Sequence, residues 1–249
     1  MSKSQSQEGR LVSSHEWFDQ SFKKITDTHE LPKPISHLDE VRYRLPNQSG
    51  FDAILLKLAR YISGLNAGKL LLTNGFLQEL CSLQRTLDEI HEDIFFLSLP
   101  HFGFEKSADH DNYLNAFWEE EPEFTTFSGK QKNRHQVPRR KIRSYLANIN
   151  NDGAVDHSAI ATSAYLSRLY SGYVHAAAPQ ILELFDPQKA VFRLTGFKDS
   201  PLLLDHASDF ENQFFRGVMA VHIVARIKNI DDLAREAFEM HNRLECHFN

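Results

Sequence analysis

Apolar residues in this chain recur mainly at helical spacing. Ile54, Leu55, Leu58, Ala59 and Ile62 fall at i, i+1, i+4, i+5 and i+8, which is one stripe along a helix face. Gly64 and Gly68 follow and are expected to bend or break that helix. A longer helix is predicted over roughly 70–97, burying Phe76, Leu80, Leu83, Leu87, Ile90 and Ile94 and stopped by Pro100 and Gly103. Shorter helices are predicted over 109–118 and from Pro138, a residue suited to a first turn, to about 148. Asn150-Asn151-Asp152-Gly153 signals a turn. Beyond it, Asp156 or Ser158 caps an Ala-rich helix that ends before Pro179. Residues 181–194 form a connector whose stretch Val191–Leu194 is a candidate short strand. Ser200-Pro201 then opens a helix to about Lys228, and a last helix runs from Asp231 to about Cys246. Strand patterns are almost absent, so the expected fold class is all-α, a helical bundle.

Residues 1–50 differ in texture. Pro32, Pro34 and Pro46 stand among Ser- and Gln-rich flanks, so this stretch is expected to be a polar N-terminal arm. Within it, Trp17, Phe18, Phe22 and Ile25 repeat at helical spacing and predict one short helix. Residues 51–249 are expected to form a single helical domain. The 249-residue chain has 41% hydrophobic residues, 24% charged residues and a net charge of -5, so any nucleic-acid contact must come from a local patch. No apolar run approaches the roughly 18–20 residues of a membrane helix, and residues 1–10 lack the apolar centre of a secretory signal. Only two cysteines occur, Cys81 and Cys246, and they are expected to be reduced thiols of a cytoplasmic protein.

The segment Tyr165-Leu-Ser-Arg168-Leu-Tyr170-Ser-Gly-Tyr173-Val-His175-Ala carries the most chemistry. Arg168 and His175 are seven residues apart, so on a helix they lie within about 20° of one face, two turns apart. Ser171 and Gly172 between them are small and are expected to leave room for a ligand, a partner helix or a phosphate. An imidazole moves protons and a guanidinium stabilises a developing phosphorane, the minimum needed to cleave a ribose phosphate. The alternative is a histidine near a helix C-terminus that only hydrogen-bonds a neighbour and favours the dipole. Arg85…His91 and Arg235…His241 also place an Arg and a His at similar spacing.

An Arg followed by a His after four to six intervening residues, on a helix of a bundle, resembles the motif of the HEPN superfamily. The fuller string resembles a related family of uncharacterised bacterial helical proteins, whose upstream helix bears an Arg and an acidic residue one turn later; Arg85 and Glu89 match that pattern. The resemblance covers about 51–180, a HEPN-like core, and leaves helices over about 200–247 as additions. It implies a metal-independent endoribonuclease of the toxin–antitoxin, stress or phage-defence kind, acting as a homodimer and under a regulatory protein partner. His175 would be the acid or base and Arg168 the phosphate stabiliser, with Arg85, Glu89 and Tyr173 in support. Glu89 would orient or charge His175, and the Arg85–Glu89 pair would find a further partner on the helix carrying Arg168. HEPN motifs often have a polar residue just after the Arg, where this chain has Leu169.

Lys130, Lys132, Arg134, Arg139, Arg140, Lys141 and Arg143 concentrate positive charge in an otherwise acidic chain. They form either a nucleic-acid-binding segment or a solvated loop neutralised by Glu119, Glu120, Glu121 and Glu123. Asp88-x-x-His91 is a single imperfect copy of the carboxylate–histidine spacing that bundle metal sites use twice, so no metal and no cofactor are expected. The alternative, from another class, is a non-catalytic helical module that binds a nucleotide, a nucleic acid or a protein partner.

Overall fold

A computed structural model of the chain describes residues 16–37, 40–119, 137–149 and 157–245. Over these residues the chain is an all-α bundle with two small antiparallel sheets. Helix α1 covers 16–26. Strands β1 (Lys33–His37) and β2 (Glu40–Arg44) form a hairpin, with Lys33 opposite Arg44. Then come α2 (Gly50–Asn74), α3 (Leu77–Ser98), a 3-10 turn over Leu99–Phe102, α4 (Ala108–Trp118) and α5 (Arg139–Ile149). Helix α6 (His157–Val174) and short α7 (Ala178–Leu182) lead to β3 (Phe185–Asp186), which pairs with β4 (Val191–Phe192). Helices α8 (Leu203–Ile227) and α9 (Asp231–Glu245) complete the bundle. Among the described residues no helix is long and apolar enough to cross a membrane.

Helix α2 starts on a capping box. The Ser49 side chain accepts the Asp52 N–H, and the Asp52 carboxylate accepts the Ser49 N–H at 2.8 Å. The helix then runs unbroken through Gly64 and Gly68, contrary to the expected bend. Their role is close packing. A Cβ at Gly64 would lie 2.5 Å from Leu87, and one at Gly68 would lie 2.3 Å from the Phe210 ring. The break comes at Gly75, whose left-handed φ of 74° closes α2, so the next helix begins at Leu77 rather than near 70.

Gly75 also meets a second glycine. The Phe197 N–H donates to the Gly75 carbonyl at 2.8 Å, and Gly196 has φ 96° with its Cβ position only 2.1 Å from the Asn74 carbonyl oxygen. Gly196→Ala is therefore expected to cost about 2–3 kcal/mol, from backbone strain plus the clash. Urea denaturation measures it, and a loss below about 0.5 kcal/mol would mean that the loop simply moves aside.

The core lies between α2, α3 and α8, with α9 on α8 and with α5 and α6 on α3. Ile54, Leu58 and Leu65 meet Leu80, Leu87, Ile94, Phe210, Val218 and Val221 there. Phe18 and Ile25 of α1 join the same cluster, and Trp17 donates to Glu236 of α9 at 2.7 Å. The helix inside the stretch expected to be an arm is thus a core element. One polar chain crosses the core. Tyr61 donates to the side-chain oxygen of Gln213 at 2.9 Å, Gln213 donates to Asp88 at 2.7 Å, and Arg216 is ion-paired to Asp88.

Candidate functional site

The two motif residues, Arg168 on α6 and His175 just past its end, are both exposed. Arg168 is exposed, as are Tyr165 and Leu169, while Tyr170 one position further on is buried. His175 follows the last helical residue and is exposed. Its N–H donates to the Ser171 carbonyl at 3.0 Å. Ala177 N–H then reaches back to Gly172 at 2.9 Å across Ala176, which adopts a left-handed φ of 50°. These bonds close α6 with His175 as the capping residue, which fixes where its ring departs from the helix. The room expected at Gly172 is occupied: a Cβ there would lie 2.6 Å from the Gln180 side-chain amide, which folds back from α7.

Arg85 reaches this helix. Its Nη1 donates to the Ser167 carbonyl at 3.1 Å, one residue before Arg168, and its Nε lies 3.4 Å from Glu89. The pair is thus partly buried and does find its further partner on α6. Glu89 itself turns toward α5, where Arg139 lies 3.9 Å away, and it makes no described contact with His175. The sequence-based role for Glu89 in orienting His175 therefore gives way to one in docking α5.

Tyr173 faces inward. Its hydroxyl donates to Glu183 at 2.9 Å, and its ring lies edge-on to His206. His206 Nε2 is 3.7 Å from Glu183, and its Nδ1 is 3.2 Å from Cys81 Sγ. Cysteine, histidine and glutamate thus stand in the order of a nucleophilic triad, brought together from α3, α8 and the segment after α7. Cys81 is fully buried, however, and burial pushes its thiol far up, which opposes the thiolate that a nucleophile requires. What this cluster does is tie α3, α6 and α8 together.

The basic segment divides. Lys130, Lys132 and Arg134 lie outside the described residues. On α5, Arg139 bonds the buried Asp93 through both terminal nitrogens, the second at 3.1 Å, and Arg143 holds Glu92 at 2.8 Å. Burial opposes the charge on Arg139, but the hydrogen-bonded Asp93 carboxylate outweighs it and raises the guanidinium further. Lys141 meets Asp109 at 2.9 Å on the surface, and Arg140 is exposed. Arg139 and Arg143 therefore clamp α5 to α3, a job that competes with binding an outside phosphate. Asp88 and His91 likewise go elsewhere, to Arg216 and to a sandwich between Tyr61 and Phe95. Among the described residues no three His, Cys, Asp or Glu side chains converge as metal ligands. No family model, no curated protein and no solved structure matches this chain.

Proposed function

We propose that the exposed Arg168–His175 face of α6 binds RNA and cleaves it without a metal. The observation that carries this reading is that Arg168 near the end of α6 and His175 just past it are both solvent-exposed, with Arg85 anchored on the Ser167 carbonyl next to Arg168. In the reaction, His175 takes the proton of a ribose 2′-OH. The resulting alkoxide attacks phosphorus, Arg168 stabilises the phosphorane, and the 5′-oxygen leaves with a proton. The products are a 2′,3′-cyclic phosphate and a 5′-hydroxyl end. A second His175, from a symmetric copy packed across α6, supplies the leaving proton and covers Leu169 and Val174, which are 43% and 47% exposed. Such an enzyme suits a cytoplasmic stress or phage-defence role in which a partner protein restrains it.

A second reading has its own observation. Gln180 fills the space at Gly172, which favours a face that binds nucleic acid or protein without cleaving. Labelled RNA incubated with excess chelator separates the two. Cleavage leaving cyclic phosphate ends, reduced about 10²–10⁴-fold in His175→Ala and in Arg168→Ala, is the expected result. Binding without cleavage assigns the module instead, and neither binding nor cleavage rejects both.

A further inference from the structure

The α8–α9 elbow encloses a second candidate site that shares no residue with the α6 face. Helix α8 ends in a tight reversal. Asn229 takes the left-handed φ of 55°, its N–H meets Arg226, and the Ile230 N–H reaches back to Ala225 at 2.9 Å. This turn folds α9 against α8 and leaves a cleft of about 760 Å³ floored by Ala234, within the roughly 300–1,000 Å³ usual for small-molecule sites.

The cleft is chemically mixed. Arg226 and Arg235 line it from the two helices, and neither has an ion-pair partner among the described residues. That separates them from Arg85, Arg139, Arg143 and Arg216, all of which are paired to carboxylates. Phe102 and Phe238 add aromatic surface and stay 40% and 48% exposed, with the Phe238 ring tilted against His222 at 5.7 Å. His222 donates from Nδ1 to the Ala234 carbonyl at 2.8 Å, so its Nε2 is left as an acceptor in a residue lining the cleft. Asp231 supplies the one carboxylate.

We propose that this cleft binds a free nucleoside monophosphate. Two guanidiniums match the two charges of a phosphate monoester, in a geometry that arginine forks serve well. Phe102 and Phe238 offer faces on which a base stacks. Asp231 accepts from ribose hydroxyls, and the same charge opposes the longer anionic run of a triphosphate or a polynucleotide. The ligand is recognised by its two ends, phosphate and base, and neither alone suffices.

Isothermal titration with adenosine 5′-monophosphate tests this on the full chain. The expected result is binding at least about tenfold tighter than that of adenosine, inorganic phosphate or ATP. Arg226→Gln and Arg235→Gln should each weaken it about tenfold or more, with melting temperatures unchanged because both side chains are exposed. Phe238→Ala should weaken the nucleotide but not inorganic phosphate. Arg168→Ala and His175→Ala should leave the titration untouched. Absence of binding at about 10 mM, binding no tighter than inorganic phosphate, or unchanged affinity in both arginine variants overturns the proposal. So does an oligoribonucleotide that binds tighter than the monophosphate and loses affinity in the same variants.

Discussion

Replacing Asp93 with alanine is expected to cost about 3–5 kcal/mol of stability, the scale of a broken buried ion pair. The Asp93 side chain is 1% exposed and accepts from Lys57 at 2.7 Å, from the Tyr113 hydroxyl at 2.6 Å and from Arg139. Lys57 also lies 5.2 Å above the Phe117 ring, so it is held within apolar surroundings. Without the carboxylate, two cations face one another with little water between them, and a phenol loses its acceptor. Asp93→Asn keeps an acceptor and should fall between wild type and alanine. Urea unfolding monitored by circular dichroism measures the series. A loss below about 1 kcal/mol for alanine would make this network no better than a solvated surface pair.

Acid is expected to destabilise the fold through His91. Burial, and then the nearby Arg216 charge, push its imidazole down to about 3 from an ordinary 6.5. The ring keeps a partly exposed edge, but Nε2 is sealed from solvent without a partner. Because the folded value lies below the unfolded one, the unfolded chain binds the extra proton between those two limits. Stability therefore falls as pH drops below 6.5, by at most about 1.4 kcal/mol per pH unit, or about 2–3 kcal/mol by pH 4 after allowing for the exposed edge. Asp88 acts in the opposite sense, since burial pushes its carboxyl up. Comparing His91→Leu with wild type isolates the histidine. The variant should lose stability less steeply between pH 6.5 and 4, and equal slopes would show that His91 charges freely in the folded state.

Helical spacing carried most of the fold because a buried stripe leaves the same mark wherever it packs. Leu80, Leu87 and Ile94 recur at i+7 and are fully buried. The paired strands Lys33–His37 and Glu40–Arg44 left no such mark: Val41 and Tyr43 are 69% and 70% exposed, so no alternation between core and solvent was needed. Gly64 and Gly68 look like breakers in the sequence because spacing records a missing side chain but not the neighbour that fills its place. Cys81, Tyr173, Glu183 and His206 are separated by up to 125 residues, and nothing local to any of them announces the others. The α5 clamp did leave a signal. The acidic run Asp88–Asp93 and the basic run Arg139–Arg143 are complementary, although Glu119–Glu123 is the acidic run nearer in sequence. Arg168 and His175 were legible as a pair because their separation matches two turns of one helix.

The contact between Gly68 and Phe210 links two positions 142 residues apart into a single character. The phenyl ring occupies the volume in which any side chain at 68 would begin, so a larger residue there is admissible only with a smaller one at 210. A side chain added at 68 alone would force the ring aside or α2 and α8 apart, so the spacing of the two helices at this level is set by the bare Cα of Gly68.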